Sequence, residues 1–170
     1  MTKQFTFNIV LISPEIPHNT GNIIRLCANL GARLHLVKPL GFKLFDPKLK
    51  RAALDYGDLT DVIQHDSAET FLEKNTSDQI YGTLTDGDVE YTKPNYQLGD
   101  TIIFGSESVG LPRHVVNKIK PQNRIRIPMM PSNRSMNLSN AVSVVAFEMW
   151  RQLEFCGSSN NPANESNYFS

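Results

Sequence analysis

The chain of 170 residues has no apolar run approaching the roughly 18–20 residues that span a bilayer, which excludes a membrane-spanning helix. Its first stretch, MTKQFTFNIVLISPE, lacks an apolar segment of about 7–15 residues leading into small residues, so no signal peptide is expected. Cysteine is scarce. Cys27 and Cys156 both fall in segments that read as helical, which predicts reduced thiols and a cytoplasmic setting. The signatures of the common α/β enzymes are missing too. GSESVG (105–110) spaces its glycines like a P-loop, but Leu111-Pro112 stand where Lys and Ser/Thr would hold phosphate and magnesium. No GxGxxG follows the first apolar run, and there is no GxSxG elbow. His18, His35, His65 and His114 are scattered, and no His/Cys pair has zinc-ligand spacing, so no metal is expected. A ligand site therefore needs another loop geometry.

What is present is an ordinary globular composition, 40% hydrophobic and 20% charged, at a length suited to one domain whose core needs no staples. The formal net charge of zero hides a segregation. Residues 1–53 carry eight Lys/Arg and two acids, whereas residues 54–107 carry two Lys/Arg and twelve acids. Residues 108–147 contain Arg113, Lys118, Lys120, Arg124, Arg126 and Arg134 and no acid. A neutral total argues against a non-specific nucleic-acid coat. Segregated charge is what one basic face would give, although chance clustering of solvated charges gives it as well.

Hydrophobic periodicity supplies the elements. FTFNIVLI (5–12) reads as a buried strand ended by Ser13-Pro14. In the next segment Asn19 or Thr20 can cap a helix that stacks Ile23, Cys27 and Leu30 on one face and stops at Gly31. Further strands are expected at 33–38, 61–64, 80–84, 101–104 and 124–127. Helices are expected at 47–57, 67–75, 111–120 and about 138–154, the last with Leu138, Ala141, Val142, Val145, Met149 and Leu153 on one stripe. Strands alternating with helices point to an α/β class with a largely parallel sheet. The Ser/Asn-rich CGSSNNPANESNYFS (156–170) reads as a disordered tail after a single domain over 1–155.

Three loops stand out. In HNTGNIIR (18–25) a helix turns Asn22, Arg25 and, further on, Asn29 away from its apolar stripe, which a capped amphipathic helix would do anyway. IIFGSESVGLP (102–112) places the carboxylate of Glu107 just beyond a strand end, where parallel α/β folds bind ligands; it could equally be a capping acid between glycine turns. IPMMPSNRSMNLSN (127–140) is too long and too polar for an ordinary connection. Its Ser and Asn groups can read a purine edge while Met129, Met130 and Met136 offer soft apolar surface, or it is a long loop ending in an Asn/Ser helix cap.

Together, HNTGNIIRLCANLGARLHLVKPLGF, KRAALDYGD, FGSESVGLP and IPMMPSNRSMNLSNAVSVVAFEMWRQL resemble the SPOUT superfamily of knotted RNA methyltransferases. The likeness is nearest to the TrmL (YibK-like) subfamily of tRNA 2′-O-methyltransferases and covers about residues 6–155. It implies a parallel-sheet α/β SPOUT fold with a C-terminal deep trefoil knot, a topology that periodicity would not suggest. The implied cofactor is S-adenosylmethionine, held by Thr83, Leu84, Gly105, Ile127, Ser135, Met136 and Leu138. The implied acceptor is the ribose 2′-hydroxyl of the wobble nucleotide of tRNA, a cytidine or modified uridine at position 34, with leucine isoacceptors as the expected substrates. The implied assembly is a homodimer, built on the last helix, that grips the anticodon stem-loop itself.

The same resemblance assigns catalytic roles to Arg25, Glu107, Ser135 and Asn137. A guanidinium is a poor base. Arg25 is therefore read as fixing phosphate and hydroxyl and stabilising developing alkoxide charge, with Glu107, Ser135 and Asn137 positioning it and the ribose. Asn19, Arg25, Arg113, Arg126 and Arg134, with the Lys43–Arg51 group, are the expected RNA contacts. One departure is Val109, where the family usually places an arginine, and it bears on substrate choice rather than cofactor binding. The alternatives are 2′-O-methylation of another RNA such as rRNA, and a non-catalytic RNA-binding protein of the same fold.

Overall fold

A computed structural model describes residues 5–44, 62–75, 79–133 and 135–158. In chain order they form β1 (Asn8–Ile12), α1 (Pro17–Leu30), β2 (Arg33–Val37), β3 (Val62–His65), α2 (Ala68–Lys74), β4 (Ile80–Thr83), β5 (Val89–Glu90), β6 (Thr101–Phe104), α3 (Arg113–Val116), β7 (Arg124–Arg126) and α4 (Leu138–Gln152). All strand pairs are parallel, in the order β3-β2-β1-β6-β4-β7-β5. The α/β class with a parallel sheet is as the sequence predicts.

Strand pleating builds two cores. Ile9 and Leu11 of β1, Leu34 and Leu36 of β2 and Ile102 and Phe104 of β6 face α1 and α4, where Ile23, Cys27, Leu30, Val142, Val145 and Met149 close the layer. The alternate residues Val10, Ile12, Val37 and Ile103 face Ala68 and Phe71 of α2 and Val115 of α3. A sheet covered on both faces needs continuous apolar strands, which is why NIVLI and TIIF carry almost no polar residue. No helix among the described residues is long and apolar enough to cross a membrane.

Two late strands sit inside the sheet rather than at its edge. β6 lies between β1 and β4, and β7 lies between β4 and β5. The connection from β4 to β5 lies across β7: a Cβ built on Gly87 would fall 2.6 Å from the carbonyl carbon of Ile125. Arg126 fastens the same connection, donating from Nη1 to Gly87 O at 2.8 Å. Only glycine fits between the two chains there.

Several details differ from expectation. α1 starts at Pro17 with Ile16 as its cap residue, so Asn19 and Thr20 lie inside the first turn rather than capping it. Proline takes the first helical position because its missing N–H would find no helical partner there. The expected C-terminal stop is present, with Gly31 left-handed at φ 64°. The cap of α4 is Asn137, which accepts from the backbone of Ser139 and Asn140, so those two residues are capped rather than capping. The helix expected at 111–120 is regular only over Arg113–Val116. It tightens into three-residue turns toward Pro121, before which helical backbone is disfavoured. Cys156, assigned to a helix and then to the tail, is a buried turn residue whose carbonyl accepts from Trp150 Nε1 at 2.9 Å. The expected helix at 47–57 and most of the expected tail lie outside the described residues.

Candidate active site

β1, β4, β6 and β7 run in one direction, so the segments that follow them gather at one end of the sheet. They are Ser13–Ile16, the 84–88 connection, Gly105–Gly110 and the long 127–137 segment. Between them lies a cavity of about 490 Å³, a volume suited to a small-molecule ligand. Thr83, Leu84 and Thr85 form one wall, and Gly105 to Gly110 a second. Ile127, Met129, Ser135, Met136, Asn137 and Leu138 form a third, and Ile16 and Asn19 close the side toward α1. Among the described lining residues Glu107 is the sole ionisable side chain.

The Gly105–Gly110 wall is a small closed loop. Ser106 and Gly110 exchange backbone hydrogen bonds of 3.3 and 3.0 Å, and a Cβ on Gly105 would lie 1.9 Å from the carbonyl carbon of Gly110. Gly105 is thus glycine because the loop folds back onto it. The loop is then tied to α1. Glu107 accepts from the backbone N–H of Glu15 at 2.7 Å, from that of Ile16 at 3.1 Å, and from Asn19 Nδ2 at 3.1 Å. Ile16 offers α1 no side-chain cap, and this carboxylate, more than 90 residues away in sequence, meets the N–H groups at that helix end. In return Glu15 accepts from Ser108 N at 3.1 Å and Ser108 Oγ at 2.6 Å.

The third motif joins the same network. Asn137 donates from Nδ2 to Asn19 Oδ1 at 3.0 Å, while its own Oδ1 accepts from Ser139 N, Ser139 Oγ and Asn140 N. One relay, Asn137 to Asn19 to Glu107, therefore connects all three loops singled out in the sequence. One polar atom in the wall stands outside it: Thr83 Oγ1 is buried and has no protein hydrogen-bond partner. A buried hydroxyl without a partner marks a place for a ligand group or a bound water.

All seven residues expected to hold the cofactor, Thr83, Leu84, Gly105, Ile127, Ser135, Met136 and Leu138, line this cavity. Of the four expected catalytic residues, Glu107, Ser135 and Asn137 line it. Arg25 does not; it lies exposed on α1, six residues or about 9 Å along the helix from Asn19. Of the side chains expected to position Arg25, Glu107 and Asn137 converge on Asn19. Asn19 itself, expected at the RNA surface, is buried, and its amide oxygen and nitrogen each hold a protein partner. Arg126, also expected to meet RNA, turns inward onto Gly87 O. Arg113 is exposed at the start of α3, and Arg134 lies outside the described residues, as does most of the Lys43–Arg51 group. Of the methionines, Met129 and Met136 line the cavity, whereas Met130 is 75% exposed and does not. Glu15 and Ser108 were missed. The one signal for Glu15 was an acid directly after the Ser-Pro that ends β1.

Comparison with known proteins gives the following. Residues 6–147 match the SpoU rRNA Methylase family. A tRNA (cytidine(34)-2'-O)-methyltransferase of Saccharophagus degradans is 49% identical, over 89% of this chain and 99% of that protein. The protein of the same name from Escherichia coli is 50% identical, over 88% of this chain and 96% of its own. A solved structure concerned with the 2-OH methylation of C/U34 on tRNA superposes with a TM-score of 0.82 at 42% identity, covering 88% of this chain and 97% of that one. The SpoU methyltransferase AviRb from Streptomyces viridochromogenes, solved with AdoMet, shares the fold at 23% identity and a TM-score of 0.78, covering 91% of this chain and 60% of that one.

Proposed function

This chain belongs to the SpoU rRNA methylase family, and on that footing we propose that it methylates the ribose 2′-hydroxyl of nucleotide 34 of tRNA with S-adenosylmethionine. The resemblance to SPOUT enzymes of the TrmL branch is borne out by relatives about half identical over nearly their whole length. The observation that carries the reading is the convergence of the three motif loops on one cavity.

The lining fits the cofactor. Leu84, Ile127, Met129, Met136 and Leu138 offer apolar surface to a purine, and the unpartnered Thr83 Oγ1 offers a hydrogen bond to a polar edge or ribose. When bound, S-adenosylmethionine supplies a methyl group already activated on a sulfonium. The chain's own work is to hold donor and acceptor in line, which is worth several kcal/mol in effective-molarity terms. Ser135 and Asn137, on the exposed lip of the cavity, are placed to orient the ribose. Arg25, exposed on α1 beyond the lip, is assigned to the RNA phosphate and the developing negative charge on the acceptor oxygen. Arg113 extends the cationic surface.

The finer topology and assembly belong to the same proposal. The insertion of β7 beneath the 84–88 connection supports a C-terminal trefoil knot. Phe147, Trp150 and Phe155 stack edge to face at ring distances of 5.9 and 5.3 Å, with Phe147 47% and Phe155 40% exposed, which supports a homodimer built on α4. A cytoplasmic location follows from a tRNA substrate. The test is to incubate the protein with labelled S-adenosylmethionine and total tRNA from a strain lacking the enzyme, then map the methyl group by digestion. Label at the ribose of nucleotide 34, first in leucine isoacceptors, is expected. Label on rRNA alone, or none, overturns the reading.

A further inference from the structure

Neither Glu15 nor Ser108 has a task in the proposed methyl transfer, although their geometry is the most reciprocal at the site. Two loops exchange carboxylates. Glu107 of the Gly105–Gly110 loop accepts backbone N–H groups of Glu15 and Ile16, while Glu15 accepts both the backbone N–H and the hydroxyl of Ser108. Charge-assisted bonds to a carboxylate are about twice as strong as neutral ones. Two such sets in opposite senses hold the tip of the loop from both sides. Glu15 is itself backed: Gly41 N donates to Pro14 O at 2.9 Å, and a Cβ on Gly41 would lie 2.6 Å from Glu15 Cα, so the 38–42 segment presses on its backbone. The base of the loop is fixed by the close approach of Gly105 to Gly110, whereas toward the tip the loop's own bond, Val109 N to Ser106 Oγ, is long at 3.4 Å.

We infer that Glu15 is a positioning residue: by clasping Ser108 it holds the Gly105–Gly110 wall in the shape that receives the cofactor. The inference rests on the methyltransferase reading for the identity of that ligand, and on geometry alone for the clasp. A preorganised wall raises affinity because the loop does not have to be ordered on binding. The effect therefore falls on cofactor binding, with turnover at saturating cofactor little changed. Ser108 gives the clasp its direction, since its hydroxyl and N–H reach the two oxygens of one carboxylate.

The test uses the full chain without ligand first. Amide hydrogen exchange over Gly105–Gly110 is expected to quicken at least tenfold in Glu15→Ala and in Ser108→Ala; unchanged exchange in both overturns the clasp whatever the protein binds. Calorimetry with S-adenosylhomocysteine then tests its consequence. Each variant is expected to bind about 5–20-fold more weakly and the double variant no more weakly than Glu15→Ala alone, since Ser108→Ala removes one of the two bonds that Glu15→Ala removes. Ser108→Thr, which keeps the hydroxyl, is expected to restore affinity, and KM for the donor is expected to rise while kcat holds. Multiplicative losses, or affinity within twofold of wild type, overturn the positioning role. Failure of the wild-type protein to bind overturns the functional reading separately, and the exchange result still decides the clasp.

Discussion

Asn137 Nδ2 lies 3.0 Å from Asn19 Oδ1, joining the cap of the last helix to the first turn of the first helix across 118 residues of sequence. Because Asn19 accepts from Asn137, its nitrogen is left to donate to Glu107, which fixes the amide orientation without ambiguity. The bond thus sets the direction of the whole relay.

Substituting Asn19 tests this relay. Asn19→Ala is expected to lower kcat/KM by about 10–100-fold and to cost about 1–3 kcal/mol of stability, because Glu107 and Asn137 each lose a partner. Asn19→Asp is expected to be worse than alanine at neutral pH, since a carboxylate cannot donate to Glu107 and repels it. Methyl transfer and thermal melting of both variants measure the two effects.

Thr83→Val separates stability from binding by sign. The substitution keeps the shape and removes a buried hydroxyl that has no protein partner. Stability is expected to rise by up to about 1 kcal/mol. Affinity for S-adenosylhomocysteine is expected to fall about fivefold or more if that hydroxyl meets the ligand. Chemical denaturation and calorimetry read the two changes, and a fall in both would assign the hydroxyl to the fold.

Arg25→Ala is expected to abolish methyl transfer and to leave cofactor affinity within about twofold, since Arg25 stands outside the cavity lining. Calorimetry with S-adenosylhomocysteine beside a transfer assay makes the comparison. Loss of binding would move Arg25 into the pocket.

Asp100 gives stability a pH dependence. Burial pushes its carboxyl up from 3.8 to about 6, against the lowering effect of the Gln97 N–H that it accepts. The folded state therefore keeps a proton that the unfolded chain releases, so the contribution of Asp100 is present below about pH 4 and is lost as pH rises through 6. Asp100→Asn, which can still accept from Gln97, is expected to be more stable than wild type by about 1–2 kcal/mol at pH 8 and equal to it near pH 4. Urea denaturation at both values checks the slope.

Most strands and three of the helices, α1, α2 and α4, are legible in the sequence because burial on both faces demands continuous apolar strands, and amphipathic helices repeat every three to four residues. Ile23, Cys27 and Leu30 announced the buried side of α1, and Val142, Val145 and Met149 that of α4. The cavity lining was legible through family resemblance, and its members do meet. Two cap assignments fail for one reason: Asn19 and Thr20 do not cap α1, and Ser139 and Asn140 do not cap α4. Residue type places a polar side chain near a helix start, but its partner is chosen by the rest of the chain: Glu107 and Asn137 for Asn19, Asn137 for the start of α4.

The sequence by itself determined the α/β class, the two apolar layers and the loops rich in hydrogen-bonding residues, because local periodicity and turn chemistry act over a few residues. Only the tertiary structure decided that β6 and β7 enter between earlier strands, that Glu107 serves the end of a helix more than 90 residues away, and that Glu15 and Ser108 face each other. Those contacts depend on which strand ends come together, and a parallel sheet sets that by long crossovers whose order leaves no local trace in the chain.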